Sequence, residues 1–418
     1  MPRETKEQSV DQRRHHVFDI VVFCALASLN LNIVGPDPGD FLFPILLVTG
    51  ILLGYLHRRD FRFPPFLKIL LGGFLGFYTL SNIVGDPVSE ALGHLASNIA
   101  LFCFLKLYVV SIQRMRLVLF AILFGAVASS VFAVAAMANV WNPPESIFYP
   151  VFEEASGRFM ALSADPPVLA IVTAFIAIWL LDEALWPKLW RGSTWLKSIL
   201  FVLAIFQMGV TLTRSGWLNL GVALACYSLI ELRRKWFGRK VVLVAVVLIA
   251  TLGGLALVSG SDYRRFLQDR IESLVNPTVY GYDESERLGF YYTIRAIQVA
   301  RDNPWGLGSG RTETQFQSEL TLLNLGAHNT YVQIMADNGW ATFLCFVSVL
   351  GYIALATIRK MLRDEEKSKF GFSYQVLFSG LAGLAAEGMY HDLIGWNIAW
   401  LLPSLAAILL WPGIQRKT

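Results

Sequence analysis

Charged residues are scarce in this sequence. Only 16% of its 418 residues are Asp, Glu, Lys or Arg, whereas 55% are hydrophobic and the mean hydropathy is +0.51. A soluble domain carries about 25% charged residues, and the apolar runs here approach the ~20 residues that cross a bilayer as a helix. The composition excludes a soluble globular enzyme and predicts a polytopic membrane protein. The net charge of +4 then reports orientation in the membrane and gives no indication of a nucleic-acid partner.

Cysteine is also rare, and its positions exclude two kinds of site. The four cysteines all fall inside apolar runs, at Cys24, Cys103, Cys226 and Cys345. No pair has the spacing of a zinc site, and the hydrophilic loops contain none, so the sequence predicts neither a metal centre nor a disulfide framework. A Walker-type nucleotide-binding motif is missing too. We therefore expect no metal and no cofactor.

The apolar runs predict helices, because a spanning segment must satisfy its own backbone hydrogen bonds and barrel-like alternation is missing. The fold class is therefore an all-α integral membrane protein with about twelve transmembrane helices. The predicted spans are 17–35, 41–57, 66–84, 88–110, 117–139, 166–185, 196–213, 214–231, 240–259, 328–358, 371–391 and 395–414.

One large hydrophilic loop divides the chain. Residues 1–259 hold the first nine predicted spans, 260–327 form the loop, and 328–418 hold the last three. Within the loop, apolar residues recur at helical spacing over 286–302 and predict a helix lying across the membrane surface. A glycine-rich turn over 306–310 follows, and its glycines resemble a phosphate cradle only weakly, since the strand context of such cradles is missing.

Lysine is missing from one side of the predicted topology. All eleven lysines fall in or beside connections on the same side as both termini, so we predict that this side is cytoplasmic. The external side carries arginine instead, seven of them in the 260–327 loop. A guanidinium stays ionised and binds phosphate through two parallel hydrogen bonds. The pattern indicates a phosphorylated ligand, although pairing with the nine Asp and Glu residues of the loop is an alternative for any single arginine.

Four residues on the external side are candidates for one site. His328 precedes a predicted helix after a polar loop, and histidine is the common general base near neutral pH, although a capping or packing role is equally consistent with its position. Arg214 lies in a tight turn between two spans, which favours a fixed anion contact over a snorkelling side chain. Arg287 begins the surface helix, and Arg158 begins the return of the 140–165 loop towards the membrane.

Polar residues also follow His328 along one helical face. Asn329, Gln333 and Asp337 recur every four residues, so we expect them to face the bundle interior or a wet cavity. Asp337 is interpreted as structural, with Gly339 allowing close packing. Three further candidates for acid-base or acceptor contacts are expected to be buried hydrogen-bonding residues instead: Glu387, His391 and His94.

These features together resemble the bacterial O-antigen ligase and polymerase superfamily. The resemblance is densest over 205–345 and rests on the Thr-Arg-Ser-Gly-Trp turn at 213–217, on Arg287 and the glycine-rich turn, and on His328-Asn329-Thr330-Tyr331. The sequence departs from the family at 165–167, where Asp-Pro-Pro stands in place of a motif in which an Asn more often follows Pro.

The resemblance implies a ligase that transfers a glycan from undecaprenyl pyrophosphate to a sugar hydroxyl of lipid A-core in the periplasm. It assigns His328 as the catalytic base and Arg214 and Arg287 as the essential arginines. Arg158, Asn329 and Tyr331 are then further candidates for substrate binding. Arginines at a partly desolvated rim stabilise the departing pyrophosphate without a metal, and attack opposite that group inverts the anomeric centre.

The expected partners are a lipid-linked glycan donor, a lipid A-core acceptor and the bilayer, with no nucleic acid. The protein is expected in the bacterial inner membrane with both termini cytoplasmic. Alternatives are a glycan polymerase of the same superfamily, a protein O-glycosylating ligase, or, from another class, a transporter of lipid-linked glycans. Transporters place charges near the bilayer midplane, whereas the unexplained charges here collect at one external rim.

Overall fold

The fold is known from a computed structural model of the chain. The structure describes residues 16–30, 38–56, 63–85, 89–137, 140, 152–153, 158–159, 166–187, 189–190, 192–210, 213–232, 284–312, 329–363, 372–391 and 397–411. The predicted span 240–259 and His328 lie outside these residues.

Twelve α-helices make up most of the described chain. They are α1 His16–Ala27, α2 Pro38–Leu52, α3 Pro65–Gly85, α4 Ser89–Tyr108, α5 Ile112–Met137, α6 Pro166–Leu185, α7 Thr194–Val210, α8 Arg214–Leu232, α9 Glu284–Asp302, α10 Thr330–Leu362, α11 Tyr374–Glu387 and α12 Asn397–Leu410. Every predicted span within the described residues coincides with a helix. The helix predicted in the loop is confirmed as α9.

The helices make the protein an all-helical, multi-pass membrane protein. Three of the described helices are long and apolar enough to cross a membrane, namely α3, α5 and α10. Shorter apolar helical stretches lie within α1, α2, α7 and α12. Helix α6 is apolar all round, and every residue over 169–183 is buried. A helix of this kind belongs at the centre of a bundle, and α7, α8 and α11 all pack around it.

The described part of the chain contains one exception to the all-helical prediction. Strands β1, Phe152–Glu153, and β2, Arg158–Phe159, pair antiparallel in the segment before α6. The register sets Glu153 opposite Arg158. A two-residue ladder leaves no period-two pattern long enough to detect in the sequence.

Helix α10 is not the single continuous span that the apolar run 328–358 predicts. Gly339, with φ 83° and ψ 168°, interrupts the helix, so that a short segment over 330–338 precedes a longer one over 340–362. The longer segment rises by about 34 Å and is sufficient by itself for the ~30 Å hydrocarbon core.

The chain between Pro304 and Gly308 satisfies the backbone groups that the break exposes. The amides of Leu307 and Gly308 donate to the carbonyls of Ala336 and Asp337, at 3.1 and 2.7 Å. The Trp340 amide donates to the Pro304 carbonyl at 3.0 Å. Helix ends buried in a bundle need such partners, so the break is a built feature of the fold.

Two lysines are buried at one end of the bundle. Lys197, at the start of α7, donates to the carbonyls of Glu183 and Trp190 at 3.0 and 2.5 Å and lies 3.9 Å from the Glu183 carboxylate. Lys106, at the end of α4, donates to the Trp411 carbonyl just beyond α12. We call this region the lysine end. Its cations close the carbonyl ends of helices, a favourable place for positive charge.

Candidate active site

Three helix termini meet at the end of the bundle opposite the lysine end. They are the start of α8 at Arg214, the start of α10 at Thr330, and the end of α11 with the turn that follows it, over 387–391. We call this region the rim. Helices α8 and α11 run antiparallel, which brings the first residues of α8 beside the last residues of α11.

Hydrogen bonds tie the start of α10 to the turn after α11. The Thr330 amide donates to the carbonyls of Gly388 and His391 at 2.8 and 3.0 Å, and the Thr330 hydroxyl donates to the His391 carbonyl at 2.5 Å. Asn329 caps the helix, because its side-chain oxygen accepts from the amides of Tyr331 and Val332. These hydrogen bonds hold Asn329 and Thr330 at the rim.

Asn329 and Tyr331 both contact α11 or its turn. The Asn329 side-chain amide donates to the Met389 carbonyl at 3.0 Å, and the Tyr331 hydroxyl donates to the Ala385 carbonyl at 2.8 Å. These bonds orient the start of α10. A role in substrate binding for either residue stays a prediction.

Glu387 is fully buried and connects α11 to α8. Its carboxylate accepts from the Asn219 side-chain amide at 2.5 Å and from the Ser215 hydroxyl at 3.5 Å. Asn219 also lies so close to Gly383 that a Cβ there would fall 2.1 Å from the Asn219 side-chain oxygen. The expectation that Glu387 is a buried hydrogen-bonding residue is confirmed.

Arg214 is the first residue of α8 and directly precedes Ser215, which reaches Glu387. The Thr213 carbonyl accepts from the Trp217 amide and begins the helix. The structure thus brings the backbone of Arg214 to the rim that Asn329 also occupies. The Arg214 side chain lies outside the described part of the structure.

Helix α9, which carries Arg287, packs along the first segment of α10. Tyr292, Ala296, Val299 and Ala300 are buried in one cluster with Val332 and Ala336, and the Trp340 indole donates to the Ala300 carbonyl at 3.0 Å. Because the break lies beside the end of α9, the helix runs parallel to 330–338 and its Arg287 end points towards the start of α10. Ile294 and Ile297 of the same helix are exposed.

The glycine-rich turn is not a phosphate cradle, because its amides are already occupied. Gly308 donates to the Asp337 carbonyl at 2.7 Å, Ser309 to the Asn82 side-chain oxygen at 2.8 Å, and Gly310 to the Asp337 carboxylate at 3.0 Å. Gly306, with φ 84°, approaches α10 so closely that a Cβ would fall 2.3 Å from the Asp337 carbonyl oxygen. The glycines serve packing against the break.

Asp337 is the centre of this packing. Its buried carboxylate accepts from the amides of Gly310 and Thr312, from the Thr312 hydroxyl, and from the Gln333 side chain at 2.6 Å. The prediction of a structural Asp337 with close packing at Gly339 is confirmed. The four-residue spacing predicts Gln333 as a neighbour of Asp337, but no local pattern connects Asp337 to Thr312, 25 residues earlier.

The structure describes the remaining candidate residues in less detail. Arg158 lies in β2, and the side chains of Arg158 and Arg287 are outside the described residues, as is the whole of His328. His391 is half-buried in the turn after α11, and His94 is half-buried on α4. In the described ranges, no three His, Cys, Asp or Glu residues come together to hold a metal ion.

Comparison with known proteins finds one family. A family model described as O-antigen ligase matches residues 199–347. This segment contains the start of α8, all of α9 and the first half of α10, and it includes Arg214, Arg287 and His328. No curated protein matches the chain closely enough to count as a relative.

Proposed function

We propose, from the membership of residues 199–347 in the O-antigen ligase superfamily, that this protein transfers a glycan from undecaprenyl pyrophosphate to a sugar hydroxyl of lipid A-core. The observation that supports a site is the meeting of the α8 start, the α10 start and the α11 turn. It brings the backbone of Arg214 to the same rim as Asn329, the neighbour of His328.

The proposed topology sets this rim in the periplasm. About twelve helices span the inner membrane, both termini are cytoplasmic, and the 260–327 loop is periplasmic. Lys106 and Lys197 lie at the opposite end of the bundle from the rim, as the bias of lysine towards the cytoplasm requires. We take 1–259, 260–327 and 328–418 as the divisions of one membrane domain.

In the proposed mechanism, Arg214 and Arg287 bind the pyrophosphate and Arg158 is a weaker third contact. Pyrophosphate is a good leaving group, so the reaction needs charge stabilisation as the glycosyl-phosphate bond breaks, and fixed guanidinium groups supply it. The start of α8 adds the positive end of a helix dipole beside Arg214.

His328 takes the proton from the attacking acceptor hydroxyl, a contribution of about 10²–10⁴-fold for a general base. The hydroxyl oxygen bonds to the anomeric carbon while the pyrophosphate leaves from the opposite face, so the configuration inverts. Retention of configuration in the product would contradict this route. Asn329 and Tyr331 complete the site as substrate contacts or through the orientation they give to the start of α10.

A polymerase of the same superfamily is the nearest alternative, since it uses the same donor and the same motif residues. A transporter of lipid-linked glycans is the alternative from another class. Transporters often use interrupted helices to bind ions with free backbone groups. The break in α10 has its backbone groups satisfied by 304–308, which favours a structural role for it.

Deletion of the gene in its host, followed by analysis of lipopolysaccharide, separates these functions. Loss of a ligase leaves bare lipid A-core and full-length glycan on the lipid carrier. Loss of a polymerase leaves core bearing a single repeat unit, and that result would refute ligation. Loss of a transporter leaves the lipid-linked glycan on the cytoplasmic side.

A further inference from the structure

We propose that Asp337 is a positioning residue that fixes α9, and with it Arg287, against the start of α10. The inference rests on the proposed function, in which Arg287 contacts the donor pyrophosphate. It assigns to the buried carboxylate a part in the geometry of the site, although Asp337 itself lies at the break and outside the rim.

The carboxylate holds the turn that directly continues α9. The Asn303 side-chain amide donates to the Val299 carbonyl, and the Gly306 amide donates to the Asn303 carbonyl. These bonds join the turn to the end of α9. Farther along, the Gly310 amide and the amide and hydroxyl of Thr312 donate to the Asp337 carboxylate. Two points of the turn, its start at α9 and its end at Asp337, are therefore fixed relative to α10.

A second set of hydrogen bonds fixes the same turn to α3. Ser309 bonds to the Asn82 side chain through its amide and to the Tyr78 hydroxyl through its side chain, at 2.8 and 3.1 Å. Asn338, next to Asp337, donates to the hydroxyls of Ser309 and Ser81, at 3.0 and 3.1 Å. The turn is thus clamped between α3 and the break, and buried networks with every member satisfied are rigid.

The length of α9 converts a small change at the turn into a large one at the site. Arg287 lies about 20 Å along the helix from Ala300, so a rotation of about 10° at the turn moves Arg287 by about 3 Å. Misplacement by about 1 Å can cost about 10²-fold in rate when a group must contact a transition state. The buried cluster around Tyr292 and the Trp340 indole limit the movement, so we expect a partial loss.

Replacing Asp337 by Asn tests the carboxylate with little change in volume. The amide group of Asn is a donor, so it cannot accept from all four of the present donors, and a turn amide is left unpaired. Thr312→Val is a milder variant that removes only the hydroxyl donor and serves if Asp337→Asn does not fold. Asp182→Asn is the matched control, because Asp182 is equally buried and accepts from Tyr227 at 3.0 Å, far from the rim.

Spin labels on a cysteine-free background measure the placement of α9 directly. Ile294 on α9 and Tyr390 in the turn after α11 are both exposed and suit labelling. Ile294 lies about 9 Å along α9 from Ala300, so we expect Asp337→Asn to shift or broaden the distance distribution by about 1.5 Å, and Thr312→Val to do so by less. Asp182→Asn keeps the parent distribution. A parent-like distribution in Asp337→Asn, or an equal change in Asp182→Asn, would overturn the proposal.

Kinetics on the unlabelled protein give a second readout that a merely structural residue would not move. Asp337→Asn should lower transfer per folded molecule by about 10-fold, but by less than about 2-fold in an Arg287→Lys background, because it acts through Arg287. If Asp337→Asn lowered transfer equally in the parent and in the Arg287→Lys background, an action through Arg287 would be contradicted. The distances do not depend on activity, so a parent protein that transfers no glycan refutes the proposed function, while the distances still decide whether Asp337 fixes α9.

Discussion

The two ends of the bundle differ in their buried polar groups. At the lysine end, buried lysine cations donate to carbonyls at the ends of helices. At the rim, the Glu387 carboxylate and described amide and hydroxyl groups connect the starts of two helices to the end of a third. Lys106 and Lys197 are satisfied by main-chain carbonyls. Glu387 and the start of α10 instead connect three different helices through side chains.

This difference indicates different roles for the two ends of the bundle. A lysine buried among carbonyls is fully occupied and has little capacity for a ligand. At the rim, the start of α8, whose first residue is Arg214, lies beside the end of α11, which is bonded to the start of α10. We infer that the lysine end supports the fold and the rim carries the chemistry. Substitutions at the two ends should therefore affect different measurements.

The largest expected effect is on stability at the lysine end. Lys197→Met removes the cation and leaves the buried Glu183 carboxylate without it, at a cost of about 4 kcal/mol. The denaturation midpoint of the purified protein should fall, while transfer per folded molecule stays within about 2-fold. Lys68→Met, at an exposed position on α3, should change neither. Loss of activity without loss of stability in Lys197→Met would contradict the assignment of a purely structural role to the lysine end.

The next effect concerns the packing at the break. Gly306→Ala combines a positive φ with a clash against the Asp337 carbonyl and should destabilise the protein by about 3 kcal/mol. Gly54→Ala and Gly310→Ala have φ of +75° and +77° with open space around the new Cβ, so they isolate the backbone term of about 1 kcal/mol. Thermal denaturation measures all three. Equal losses would mean that the close approach contributes nothing.

The arginines should affect activity with little change in stability. Arg214→Lys and Arg287→Lys keep the charge but lose the bidentate fork, so we expect transfer to fall by about 10–100-fold. Arg301→Lys, exposed at the end of α9, is the control and should retain activity. Full activity in both Arg214→Lys and Arg287→Lys would show that charge alone suffices.

The smallest effect is expected from the cap of α10. Asn329→Ala removes the side-chain oxygen that accepts from Tyr331 and Val332 and should cost about 1 kcal/mol. Asn329→Asp keeps the cap but loses the bond to Met389. If Asn329 only orients the helix start, Asn329→Asp should restore stability and part of the transfer activity. Inactive Asn329→Asp protein of parent-like stability would instead indicate a direct substrate contact.

The helices were predictable because long apolar runs allow no other backbone arrangement in a bilayer. Helix α6 is placed to the residue, and α9 was recognised from its apolar spacing. The break at Gly339 was not, since a single glycine in an apolar run carries no sign of the turn over 304–308 that satisfies it. The same lack of local signal made the glycine-rich turn resemble an anion site.

The sequence predicts the candidate site only as a set of residues. A tight turn pointed to Arg214 and a helix start pointed to His328, but nothing in the sequence connects either to α11. The contacts that bring the start of α8 and the start of α10 to one rim run through Glu387 and Thr330, which are more than a hundred residues from Arg214. Pairings of this kind depend on tertiary packing, which local pattern does not encode.

Reconstituted transfer is the most direct measurement of the central claim. Purified protein in proteoliposomes receives a glycan on undecaprenyl pyrophosphate together with lipid A-core, and the product is glycan joined to the core. We predict that the parent protein and His16→Ala, an exposed histidine control on α1, form this product, and that His328→Ala forms about 10²–10⁴-fold less. Equal product from His328→Ala, or none from the parent protein, would contradict the account.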